Sequence, residues 1–251
     1  MNAISTPGGI IVNTPATNVD HPWRCDQGLT SKSSVCTVDH MTTSAAVERR
    51  KLSDLFDEVG PEAPTLCEGW LTVDLAAHLV VRERRPDAAP GVLVKPFASY
   101  TEKVQRRIAQ EPWPELVESI RSGPPRLSPW RIDAVDRLVN TVEFFVHHED
   151  VRRAQPEWSA RELDAELVDD LYASLKRSAR LMTRRAPAGI ELEPTDGRPS
   201  IVANSGTPSV TVRGPVGELT LFVNGRQAHA LVEFDGPADA IAALRVASFG
   251  L

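Results

Sequence analysis

A chain of 251 residues with 41% apolar content and a formal net charge of −6 is long enough to bury a core in one large domain or two unequal ones. Its Arg clusters are short and interleaved with Glu and Asp, which excludes a nucleic-acid surface. No apolar run approaches the roughly 20 residues of a membrane span, and Cys25, Cys36 and Cys67 are an odd set at unremarkable spacing, which excludes a disulfide framework. The expectation is a soluble, cytoplasmic protein without nucleic-acid or membrane partners.

Residues 1–42 are rich in Thr, Ser, Asn, Gly and Pro and read as a disordered extension. Met41 offers an alternative start. Within this stretch His21, Cys25, Cys36 and His40 form H-x3-C-x10-C-x3-H. It lacks the close cysteine pair of zinc modules and has few core-forming residues between its ligands, so the spacing reads as coincidence.

Over residues 45–59 the apolar positions Leu52, Leu55, Phe56 and Val59 predict an amphipathic helix stopped by Gly60-Pro61. A loop carrying Cys67 and Trp70 follows. Thr72 then caps a second helix with Asp74 in its first turn, Leu71, Leu75 and His78 on one stripe, and Arg82 one turn further on. RERR at 82–85 closes it before Pro86. Short helical pieces are predicted at 97–110 and 115–121, and a long helix from about 129 to 153.

The capping-box pattern at 159–162 predicts the start of another long helix, with Leu163, Leu167, Leu171 and Leu175 on one side. These are the elements of a four-helix bundle, a fold in which facing helices can build a metal site. After Gly189 the period changes. Strands are predicted at 190–193, 201–203, 209–213 and 229–235, with helices from Pro215 to Asn224-Gly225 and over 237–246. The expected organisation is 1–42 extension, 43–188 helical bundle and 189–251 small α+β domain.

The stretch TVEFFVHHEDVRR at 141–153 carries the chemistry. Glu143 and His147 are four residues apart and share a helix face, the way one helix offers two ligands to one metal. His148 points about 100° away and falls to a supporting, pocket or surface role. A third ligand must come from another helix, and His78 is the best candidate. The alternative stays open from spacing alone: Asp136, Asn140, Glu143, His147 and Asp150 also fit an ordinary solvated polar face, and a lone His78 fits a core histidine with one hydrogen bond.

CEGW at 67–70, DLAAHL at 74–79 and E-x3-H at Glu143 and His147 together resemble the DinB-like metal-binding bundle of the mycothiol-dependent maleylpyruvate isomerase family. GPVGELTLFVNGR at 214–226 resembles that family's second, sterol-carrier-like domain. ERRKLSDLFDEVGPEAPTLCEGW with AAHLVVRERRPDAAPG is similar to a subgroup described only as metal-binding proteins. The likeness covers roughly residues 43–251.

It implies an α+β protein, a DinB-like four-helix bundle followed by a small sterol-carrier-like domain. It also implies a divalent metal, Zn²⁺ first, held by His78, Glu143 and His147 with an open position that meets the thiol of mycothiol. Arg82 and Arg226 become candidate catalytic residues that bind carboxylates, and Arg82 a cofactor contact as well. The implied activity is isomerisation or S-transfer on a small anionic substrate, with a thiol as partner. The short C-terminal part and the RERR segment set the chain apart from the isomerases themselves, so maleylpyruvate is not carried over. A noncatalytic metal- or thiol-binding protein and a carrier of an apolar ligand are the alternatives.

Overall fold

The first helix, α1 (Ser44–Val59), opens on Thr43, whose hydroxyl accepts from the Ala46 amide at 3.1 Å and so satisfies one of the amides that a helix start leaves without a partner. It stops at Gly60, where φ of 78° suits a residue without Cβ. The protein is described here from a computed structural model over residues 43–88, 96, 98–125 and 133–250. The residues 1–42, with His21, Cys25, Cys36 and His40, lie outside this range.

Four more helices build the rest of a first apolar core: α2 (Thr72–Arg84), α3 (Ala98–Ile108), α4 (Trp113–Arg121) and α5 (Asp133–Arg152). Leu52 and Phe56 of α1, Leu75 and Leu79 of α2, Leu116 and Ile120 of α4 and Phe144 of α5 are all buried in it. Each such side chain taken out of water stabilises the fold by roughly 1.5–3 kcal/mol. The Phe56 ring meets Trp113 edge-on, centroids 5.5 Å apart.

A second core joins the other side of α5 to the C-terminal part. Phe145 and Val146 pack there with α6 (Ala165–Met182), strands β1 (Gly189–Pro194), β2 (Ile201–Asn204) and β3 (Ser209–Gly214), and helix α7 (Val216–Val223). The sheet is completed by β4 (Glu233–Asp235) and flanked by α8 (Ala238–Arg245). Its order is β2-β1-β3-β4, with β1 and β3 parallel and both edge pairs antiparallel. The described residues thus form a mixed helix-and-sheet protein with eight helices and one four-stranded sheet, and none of these helices is long and apolar enough to cross a membrane.

Three expectations needed correction, each for a side-chain reason. Thr72 does not cap α2: its hydroxyl donates to the Gly60 carbonyl at 2.5 Å, and Leu71 is the cap residue, with its amide held by Asp74 at 3.1 Å. The helix predicted from 159 begins at Ala165, capped by Asp164 through the Leu167 amide at 2.8 Å. Residues 159–163 are held elsewhere, with the Ser159 carbonyl on Arg152 and the Arg161 guanidinium on Glu48 and Glu149. The last strand covers only Glu233–Asp235, because upstream backbone groups are taken by side chains: Arg153 donates to the His229 carbonyl and Glu218 accepts from the Leu231 amide.

Those last two contacts belong to a buried ionic seam between α5 and α7. Arg153, with 2% of its side chain exposed, donates to Glu149 at 2.7 Å and to both Glu218 oxygens at 3.0 and 2.6 Å. Every charge is paired in place, as burial of ions requires.

Candidate metal centre

Helix α5 turns Glu143 and His147 to the same side, as their four-residue separation dictates, and α2 brings His78 against them. His78 Nε2 lies 3.2 Å and His147 Nε2 3.3 Å from the same oxygen, Glu143 Oε1. Two donors each about 2.05 Å from a tetrahedral ion stand roughly 3.3 Å apart, so both spacings suit three ligands on one ion. All three donor atoms fall within 4.8 Å of one another. The side chains of Glu143, His147 and His78 keep 23%, 12% and 10% exposure, which leaves a solvent-facing side for a further ligand.

The solvated-face alternative fails on burial. Asn140 and Asp150 are fully buried and Asp136 nearly so. Asn140 donates to Asp136 at 2.8 Å and accepts from Arg82 Nη1 at 2.5 Å, while Arg82 Nε stands 3.4 Å from Glu143 Oε1. Arg82 thus faces the carboxylate of the triad and is steadied by Asn140. The chain of polar contacts continues through Asp136 to the Thr43 hydroxyl, 2.7 Å away at the start of α1.

His147 uses its second ring nitrogen as well. Nδ1 is 2.9 Å from Asp150 Oδ2, one turn along the same helix, an arrangement that fixes the tautomer and leaves Nε2 for an ion. Asp150 is itself held by Arg226 Nε at 2.8 Å and Nη2 at 2.6 Å, and accepts from Cys67 Sγ at 3.3 Å. Arg226 also donates to the Asn224 carbonyl at 2.6 Å. A ring contact completes the wall: Trp70 lies 5.3 Å from the His78 ring, centroid to centroid.

Cys67, His147 Nδ1 and Asp150 form a second group of possible ligands. The Arg226 guanidinium lies against two of its members, 2.6 Å from Asp150 and 3.7 Å from Cys67, and its fixed positive charge opposes a cation beside it. The triad of His78, Glu143 and His147 is therefore the better donor set. With two imidazoles and one carboxylate it matches the three-protein-ligand pattern of catalytic zinc sites, and the same donors also suit Fe²⁺, Co²⁺, Ni²⁺ or Mn²⁺.

The electrostatics separate the two histidines. Burial pushes the His147 imidazole down, but bonds to Asp150, Cys67 and Glu143 outweigh it and hold it well above the ordinary value. For His78 burial wins over Glu143, and the ring is shifted down toward its neutral form. Burial pushes the Glu143 carboxyl up, yet Arg82, His147 and His78 together keep it well below the usual carboxylate range. The pocket thus holds a carboxylate and one readily neutral imidazole ready as ligands.

Of the residues singled out in the sequence, the fold brings His78, Glu143, His147 and Arg82 into direct contact, and places Arg226 one step away behind Asp150. His148 faces the other way, buried, with Nδ1 3.0 Å from Glu48. Asp150 and Asn140 were legible only as members of a polar stripe. The available signal was spacing: Asp150 is three residues from His147 and Asn140 three from Glu143, each within one turn of a candidate ligand.

No family model matches the sequence, and no curated protein matches it. Among solved structures, that of a histidine-to-alanine variant of the mycothiol-dependent maleylpyruvate isomerase aligns with a TM-score of 0.54 and 14% identity, over 76% of this chain and 90% of that chain. The structure of the isomerase itself aligns over the same shares with a TM-score of 0.47 and 15% identity. The first likeness establishes a related fold; a fold at this identity carries no reaction with it.

Proposed function

We propose that this chain is a metal-dependent enzyme that uses a low-molecular-weight thiol, mycothiol being the thiol named for its structural neighbour, to isomerise or S-transfer a small anionic substrate. The helical residues 43–188 correspond in this reading to a DinB-like four-helix bundle, and 189–251 to a small sterol-carrier-like domain. One observation carries the reading: two imidazole nitrogens from two helices converge on one carboxylate oxygen at 3.2 and 3.3 Å, with a side open to solvent.

His78, Glu143 and His147 would hold the ion, Zn²⁺ first. A bound divalent metal supplies Lewis acidity that lowers the pKa of a thiol and so provides a nucleophilic thiolate near neutral pH. The chain's own residues set the conditions. Asp150 orients His147 through Nδ1, Arg226 orients Asp150, and Arg82 balances the charge of Glu143. Trp70 packs against the His78 ring and steadies it. Arg82 and Arg226 are positioning residues first, and in this reading they are the cations available to a carboxylate of the substrate.

The test is elemental analysis of purified wild type, His78→Ala and Glu143→Ala, with mycothiol titrated into each. The expected result is one equivalent of metal and saturable thiol binding in wild type, both lost in the variants. Metal-free wild type that gains no stability from added zinc would refute the reading. Metal binding without thiol binding would favour the noncatalytic alternative.

A further inference from the structure

On the far side of α5 from the triad lies a cavity of about 440 Å³, within the roughly 300–1,000 Å³ range of small-molecule sites. Phe145 and Glu149 of α5, and Arg153 just past its end, face it at four-residue intervals. His147 is two residues from both Phe145 and Glu149, a rotation of about 200°, so the two sites look in opposite directions. Leu163, Val168, Pro215 and Val216 supply the rest of an apolar wall, and Gly217 of α7 keeps it open. A Cβ at Gly217 would stand 2.8 Å from Leu163 Cδ1 and 3.2 Å from Phe145 Cζ, two of the cavity's own walls.

The polar lining has a definite bias. Four carboxylates, Glu149, Glu162, Asp196 and Glu218, face two guanidiniums, Arg153 and Arg161. Both guanidiniums are committed: Arg153 to Glu149, Glu218 and the His229 carbonyl, Arg161 to Glu149 and both oxygens of Glu48. Asp196 shares its charge with Arg198, and Glu162 is exposed at the rim. A carboxylate accepts about four hydrogen bonds, whereas Glu218 receives three, from Arg153 Nη1 and Nη2 and the Leu231 amide. The remaining capacity of this wall is to accept, and within the lining carboxylates outnumber guanidiniums four to two, with Arg152 on Glu149 and Arg198 on Asp196 adding partners from outside it.

We propose that this cavity binds a small organic cation, an ammonium group carried on an apolar, ring-sized body. The apolar wall takes the body and the carboxylates take the ammonium hydrogens. A ligand carboxylate of the same size would meet guanidiniums already committed to acids of the protein and would stand beside carboxylates that outnumber them in the lining. The site requires no metal and stands apart from the proposed thiol chemistry.

The experiment is calorimetric titration of tryptamine, and separately of indole-3-propionate, into the full chain. The two probes share a ring and a similar reach and differ in the sign of charge. Gly217→Val and Leu163→Trp each add bulk to the cavity lining, and circular dichroism with metal content checks that each variant is folded. If one variant misfolds, the other decides. Saturable tryptamine binding, weakened roughly tenfold or more in the folded variants, with no binding of the acid, is the expected result. No saturable tryptamine binding, equal or tighter binding of the acid, or undiminished binding in the folded variants would overturn the proposal.

Discussion

Asp150 sits three residues after His147 on the same helix and meets its Nδ1 at 2.9 Å, so the face of the imidazole that points away from Glu143 is anchored by a fully buried carboxylate. The ring is thereby held with Nε2 toward the triad before any ion arrives. Such preorganisation is what a second carboxylate behind a histidine ligand provides.

Asp150→Asn is expected to weaken metal binding by about 10- to 100-fold while leaving one equivalent of metal at saturation. The amide can still accept one hydrogen bond but no longer balances Arg226. Competition against a chelator of known affinity measures this. An unchanged affinity would show that the Asp150 contact does not orient the ligand.

Cys67→Ala is expected to leave metal stoichiometry and affinity close to wild type. Cys67 lies on the Nδ1 side of His147, at 3.8 Å, beside the Arg226 guanidinium at 3.7 Å. Loss of metal in this variant would move the site to the Cys67, His147 and Asp150 group. The same chelator competition distinguishes the two.

Stability should fall in acid, in two stages. Burial pushes the Glu48 carboxyl up, but His148 and Arg161 outweigh it and hold it at about 2; in the unfolded chain a glutamate titrates near 4.3. A depressed carboxylate stabilises the fold above the unfolded value, and that contribution, on the order of 3 kcal/mol, is lost as pH drops from there toward 2. His148 is shifted down by burial, so the unfolded chain takes up its proton before the folded one does and the decline begins below about 6.5. Urea midpoints from pH 7.5 down to 2 read both stages. A flat profile over that range would mean the Glu48–His148 pair is not buried as described.

Gly189→Ala should lower the urea midpoint sharply without touching the metal site. A Cβ there would lie 2.1 Å from the Gly206 carbonyl oxygen, so backbone at the start of β1 must shift. A cost of about 1–3 kcal/mol is expected for such overpacking. Wild-type stability in this variant would contradict the β1 register, in which Gly189 pairs with Ser209 of β3.

Local residue patterns determined the elements and half of the candidate centre. Apolar spacing with Gly60 at its end marks α1, alternation marks β3, and the four-residue step from Glu143 to His147 sets two donors on one face, because helix geometry acts within a few residues. Tertiary structure decided what those donors meet. His78 lies 65 residues from Glu143, and Arg226 lies 76 from Asp150; no periodicity encodes such pairs. Burial likewise decided that Asp136, Asn140 and Asp150 are a network and not a wet face, since exposure depends on what packs over a stripe. Where the sequence pointed to a longer helix and a longer strand, distant charges overruled it. Arg161 is drawn to Glu48 of α1, and Arg153 and Glu218 take the backbone groups that β4 would have needed, because a buried charge must find its partner before local propensity is served.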